Sequence, residues 1–214
     1  MYTQAAFQED RPDLQHALIR DYPLGTLIAT GGAGVTADLI PFILYPGEGA
    51  RGVLRAHVAR GNPVLEALRE GSEVLVVFQG EDAYVSPSWY ATKAETHKVV
   101  PTWNYAMVQV RGRPRVVDDG AWLRRVLDDL TDKQEAALPA PWRVADAPAE
   151  FLERIAQAII GIEIPVASIA GKWKMSQNRG AADRLGVIAG LRSVGRDGAA
   201  ALVEATLPPA VKAA

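Results

Sequence analysis

The chain has 214 residues, 49% of them hydrophobic, and 23 Lys+Arg against 25 Asp+Glu give a formal net charge of −2. That profile belongs to a globular protein with a sizeable core, excludes a disordered or fibrous chain, and gives no overall electrostatic case for nucleic acid. Cysteine is absent, which excludes disulfides, thiolate metal sites and thiol catalysis. No apolar run nears the roughly 20 residues of a membrane span, and the start, MYTQAAFQEDRPDLQ, is polar and acidic where a signal peptide is basic and then apolar. A cytoplasmic protein is expected.

In chain order, residues 9–20 have helical spacing at Leu14, Ala17 and Leu18, with Asp13 in the first turn. GTLIAT (25–30) and TADLIPFILY (36–45) predict two strands joined as a hairpin through Gly31, Gly32 and Gly34. Pro41 has no ladder donor, so it must lie at an edge or bulge. VLRAHV (53–58) predicts a third strand. In NPVLEALREG (62–71), Asn62 is the expected N-cap, Pro63 the first helical residue and Gly71 the stop.

The β-branched run EVLVVFQG (73–80) predicts a buried strand, with AYVS (83–86) pairing back on it. WNYAMVQVRG (103–112) and PRVVD (114–118) predict another hairpin. AWLRRVLDDLTDKQE (121–135) places Trp122, Val126, Leu127 and Leu130 on one helical face, opposite Arg124, Asp128 and Asp129. After the loop LPAPW, a helix is expected over 148–160 with the stripe Phe151, Ile155, Ile159. IEIPVASIAG (162–171) predicts the last strand, and 183–204 two short helices around Gly195 and Gly198. Roughly seven strands broken by helices, without repeats or a low-complexity linker, predict one α+β domain over 1–214. Its expected architecture is an antiparallel barrel with flanking helices, the last of them over about 179–206.

Three stretches are dense in polar and aromatic groups. In HVARGNP (57–63) a strand end carrying His57, Arg60 and Asn62 feeds a helix start. Such a junction offers free backbone N–H groups and a guanidinium to a phosphate, or is simply an Asn-Pro cap beside a surface Arg. YVSPSWYATKAETHKVVPTWNY (84–105) interleaves Tyr84, Trp89, Tyr90, Trp103 and Tyr105 with hydroxyls, amides and cations. That mixture suits a planar heteroaromatic ligand, a protein interface, or a structural aromatic cluster. GKWKMSQNRGAADR (171–184) is a local basic patch able to meet a phosphate or carboxylate, or a solvated turn capping a helix. No GxGxxG, Walker-type GK[ST] or GxSxG occurs, and the three histidines lack metal-ligand spacing. No metal site and no catalytic residue is assigned.

Together the MY start, PLGTL, IPFIL, LRAHVARGNP, VLVVFQGEDAYVSPSWY, KVVPTWNY, GIEIP and GKWKMSQNR resemble the PaiB family of FMN-binding negative transcriptional regulators, over residues 1 to about 191. The resemblance implies a split β-barrel of the pyridoxamine-phosphate-oxidase type, a homodimer with FMN at the interface. It implies a phosphate grip by His57, Val58, Ala59, Arg60 and Asn62, and ring contacts from the backbone of Ile40, Pro41 and Phe42. It further implies cofactor contacts by Ser86, Trp89, Tyr90, Thr102 and Trp103, and by Lys174, Gln177 and Asn178 from either subunit. MYTQAAF lacks the proline and basic residue common near the family's start, and Gly61 replaces a commoner Ala, loosening the loop slightly. A regulator, an FMN-dependent oxidoreductase acting on a small molecule, and a non-catalytic flavin module acting through a protein partner all remain open on this likeness. The segment 183–204 holds three arginines among acids and alanines, so neither charge nor motif supports direct DNA binding.

Overall fold

The computed structural model describes residues 1–208. In chain order the elements are β1 (Gln8–Glu9), α1 (Pro12–Asp21), β2 (Leu24–Gly31), β3 (Gly34–Pro41), β4 (Ile43–Tyr45), β5 (Val53–Ala59), α2 (Val64–Arg69) and β6 (Val74–Val85). They continue with α3 (Thr92–Thr96), β7 (Thr102–Gly112), β8 (Arg115–Val117), α4 (Gly120–Glu135), α5 (Ala149–Ala156), β9 (Ile159–Pro165), β10 (Ser168–Lys174), α6 (Ala181–Ser193) and α7 (Asp197–Ala205). The chain groups into two compact units, one of Pro12–Phe78 with Gln109–Ile169, the other of Met1–Arg11, Gln79–Val108 and the residues from Ala170 onward.

In the unit that begins at Pro12, β2 and β3 form the expected hairpin, paired from Leu24↔Pro41 to Gly31↔Gly34. Gly34 turns the chain at φ +103°, a backbone conformation that glycine alone adopts without strain. β3 is the edge strand, so Pro41 deprives no partner of a donor. The other edge of β2 pairs with the first half of β6 at Thr26↔Val77 and Ile28↔Leu75. A second antiparallel sheet has the order β4-β5-β9-β8. Leu54, Ala56 and Val58 of β5 alternate into the core, as do Ile160, Ile162 and Ile164 of β9.

The opposite face of that sheet lies under α4, whose Asp119 Oδ1 accepts the Trp122 N–H at 2.8 Å as N-cap. Of the predicted face Trp122, Val126 and Leu130 are buried and Leu127 half-buried, and Leu123, not predicted, is buried with them. A Cβ on Gly161 would lie 2.2 Å from the Trp122 ring, so the indole rests directly on that glycine.

Glu163 on β9 ties three strands together. It accepts from Arg55 Nε at 2.9 Å and Arg115 Nη2 at 2.6 Å, with its side chain 12% exposed. Burial alone would raise its pKa, but the two guanidinium bonds outweigh burial and hold it below the ordinary glutamate value. A depressed carboxylate pKa contributes stability that is complete above the unfolded-state value and is lost as pH falls through the folded one. The urea midpoint is therefore expected to fall between about pH 6 and pH 3, and Glu163→Gln to lose about 1.5–3 kcal/mol near neutrality with a flatter acid limb. An acid limb equally steep in the variant would assign the dependence to other carboxylates.

In the other unit the strand order is β1-β10-β7-β6, with Gln8↔Lys172 and Glu9↔Gly171 registered at its edge. Asn104, fully buried on β7, exchanges hydrogen bonds with Ser176 Oγ at 3.1 and 3.2 Å, which satisfies both groups. The buried Asp183 carboxylate accepts from the Thr92 N–H and hydroxyl at 2.9 Å, fixing the start of α6 to the start of α3. α6 and α7 meet at Gly195, φ +72°, where the sequence places the break.

Five expectations are corrected. The strand expected over 36–45 is two, β3 and β4, which break at Phe42 and join different sheets. Residues 73–80 and 83–86 form one continuous strand, β6, because ladder pairing carries the polar Gly80-Glu81-Asp82 stretch that reads locally as a turn. β7 and β8 are not a hairpin: β8 pairs with β9, where Arg115 stands opposite Glu163. The 162–171 segment is two strands, broken at Val166–Ala167, which gives ten strands among the described residues. The helix expected over 148–160 ends at Ala156 because Ile159 already pairs with Ala59, and Phe151 and Ile155 of its stripe are exposed.

Candidate functional site

The strand-end stretch lies wholly in the unit that begins at Pro12. His57 stands opposite Gly161 on the face of β5 beneath α4; it is half-buried, and burial lowers its pKa, favouring neutral imidazole. Its Nδ1 is buried with no hydrogen-bond partner among the described residues. Val58 points into the core and Ala59 is exposed. The Arg60 guanidinium is engaged: Nε donates to the Gln157 carbonyl and Nη1 to Asp118, both at 2.8 Å, and Nη2 donates to the second Asp118 oxygen. Three of its five N–H donors are used and two remain. The Arg60 bond holds Asp118 below the ordinary carboxylate range.

Asn62 Oδ1 accepts the Val64 N–H at 2.9 Å, the cap expected from sequence, while its amide donates to Asp38 on β3 at 3.1 Å. Gly71 stops the short helix at φ +73°. Ile40 and Phe42 are buried and Pro41 is exposed. The Phe42 N–H is already given to the Pro23 carbonyl at 2.8 Å, so among Ile40, Pro41 and Phe42 the contacts expected of the backbone fall to carbonyls and to Ile40.

The aromatic and basic stretches lie in the other unit. Ser86 Oγ accepts the Ser88 N–H at 3.2 Å and starts a single 3₁₀ turn. Trp89 is committed to packing on α6, since a Cβ on Gly190 would lie 2.2 Å from its ring. Tyr90 is buried, with the Arg179 guanidinium 4.7 Å over its ring. Burial raises its pKa and Arg179 opposes that rise. Gln177 closes the turn at Ser176 (φ +61°), its Oε1 accepting from Met175 N and its Nε2 donating to the Trp173 carbonyl, both at 2.6 Å. Asn178 is exposed and makes no hydrogen bond among the described residues.

Thr102, Trp103 and Lys174 are brought together. Lys174 Nζ donates to Thr102 Oγ1 and, at 2.5 Å, to the Trp103 carbonyl. Burial, then Lys172 beside it, lowers the Lys174 pKa. The Trp103 ring is 53% exposed and meets Tyr84, 47% exposed, edge to face at 6.0 Å. Tyr105 lies on the same strand as Trp103, with the Lys172 and Lys174 ammonium groups 5.3 and 6.0 Å from its ring. Trp103, Tyr105 and Met107 line a hollow of about 320 Å³ closed by Gln79 and Asp82. Its signal in the sequence is the period of two along β7. Asp118 and Gln157, which hold Arg60, lie 58 and 97 residues beyond it and have no sequence signal.

Residues 1–168 match the family described as "Putative FMN-binding domain". An uncharacterized protein of Emericella nidulans is 37% identical, with 92% of each chain covered. The protease synthase and sporulation protein PAI 2 of Bacillus subtilis is 28% identical, with 90% of each chain covered. The solved FAD and heme binding protein of Mycobacterium smegmatis superposes with a TM-score of 0.57 at 20% identity, over 78% of this chain and 73% of that one. Two antiparallel sheets with flanking helices, paired as separate sheets rather than one closed ring, are the split-barrel form of the α+β class. With 168 residues matched from the first onward, and that fold beneath them, the chain belongs to the FMN-binding domain family.

Proposed function

We propose that this protein binds FMN as a homodimer and acts as a regulator of the PaiB type through its flavin state rather than by direct contact with DNA. The observation that carries this is the shelf of exposed Tyr84 and Trp103 with half-buried Tyr105, beside Lys172 and Lys174, on a chain of the FMN-binding family. Large exposed rings are costly on a lone soluble chain and suit a planar ligand or a second subunit.

The residues present fit FMN in kind. Trp103 and Tyr84 offer flat faces; Asn178 offers a free amide donor and acceptor for a mixed polar edge; Lys174 supplies charge. Bound flavin would supply one- and two-electron chemistry, while these side chains bind and orient it. The arginines of 183–204 are spent within the fold: Arg184 is buried and bonded to Thr206, Arg192 pairs with Glu204, and Arg196 donates to the Asp82 carbonyl. That leaves no arginine row for a phosphate backbone, which is why regulation is assigned to the flavin site.

Trp103→Ala tests the reading. The loss of a stacking face is expected to weaken FMN about tenfold to a hundredfold, by the roughly 1–3 kcal/mol of an aromatic stack. Because the ring is more than half exposed, the melt should move little. Fluorescence-quenching titrations of both proteins check this; equal affinity would take the shelf out of the site.

A further inference from the structure

We propose that the cavity between α4, α5 and the start of β9 is a second binding site, for a small amphiphile with an apolar body and a primary ammonium head. The cavity measures about 730 Å³, within the roughly 300–1,000 Å³ range of small-molecule pockets. Its floor is apolar: Val117, Leu123 and Ile160 are buried, and Leu152 of α5 reaches in half-buried. A hydrocarbon body displaces water from such a floor at a gain of about 0.8 kcal/mol per buried CH₂.

The rim decides the charge. Its two arginines are already neutralised, Arg60 by Asp118 and Arg124 by Asp128 at 2.9 Å. Asp119 caps α4 through Oδ1, and the positive end of that helix offsets its charge. Among the rim's charged side chains, the Glu153 carboxylate alone makes no hydrogen bond or ion pair among the described residues. The rim therefore carries a net negative charge, which favours a cation over a phosphate or carboxylate. Arg60 on this rim also belongs to the phosphate grip that the family likeness implies, so unchanged FMN binding is the readout that separates the two sites.

The test is calorimetric titration of the whole chain with n-octylamine, and with n-octanoate as the chain-matched anion. The amine is expected to bind saturably at one site per chain, and octanoate at least about tenfold more weakly. Glu153→Gln should weaken the amine about tenfold, or about 1.4 kcal/mol. Leu152→Trp, which fills the floor, should abolish binding, and so should Ala149→Trp, at an exposed lining position where folding is not at risk. FMN quenching should be unchanged in all three variants. Octanoate binding as tightly as the amine, no amine binding, or amine binding untouched by Ala149→Trp would each overturn the proposal. So would loss of FMN together with the amine, which would make the cavity part of the flavin site.

Discussion

Phe42→Ala is expected to destabilise the protein by about 3–5 kcal/mol, the range for emptying a buried aromatic site. Phe42 is 0% exposed and meets Phe78 edge to face at 5.8 Å. Phe78 in turn fills the space over Gly25, where a Cβ would come within 2.7 Å of its ring. The surrounding β2, β3 and β6 backbone is fixed by ladder pairing, so the void cannot collapse. A fall in melting temperature of about 10 °C follows for a domain of this size. A loss below about 1 kcal/mol would show that the neighbours repack, and would remove this pair from the centre of the core.

Gly186→Ala sets two effects of opposite sign against each other. Alanine in a helix interior is favoured over glycine by about 1 kcal/mol. At this position, however, the new Cβ would lie 2.0 Å from the Trp89 carbonyl oxygen, a backbone atom that no rotamer change can move. Overpacking of this kind costs about 1–3 kcal/mol and more where backbone must shift, so the clash wins and a net loss of about 2 kcal/mol is expected. The displaced element would be the 3₁₀ turn Pro87–Trp89, and with it the SPSWY stretch. A thermal melt checks the sign. An unchanged or raised melting temperature would mean that α6 stands off from Trp89.

Much of this fold is legible in the sequence because local and tertiary preferences coincide. Asn62, Pro63 and Gly71 mark the ends of α2 through cap and turn chemistry, and the stripe Trp122–Val126–Leu130 marks the buried face of α4. Legibility fails where partners distant in sequence decide. Gly80-Glu81-Asp82 has the composition of a turn yet lies inside β6, because neighbouring strands hold it extended. Arg115 belongs beside Glu163, 48 residues on, and that distant pairing overrides the local hairpin signal at 103–118. The site shows the same division. The rings of Trp103 and Tyr105 at period two along β7 can be read directly. By contrast, the commitment of Trp89 to α6, of Gln177 to its own turn and of Arg60 to Asp118 depends on geometry that residue type does not encode.

The measurement closest to the central claim is an equilibrium titration of the purified protein with FMN, read by quenching of flavin fluorescence and by visible absorbance. Saturation at one FMN per chain, with the flavin band shifted on binding, is the expected result. Unquenched FMN at protein concentrations in the hundred-micromolar range, corresponding to binding weaker than about 5–6 kcal/mol, would contradict it.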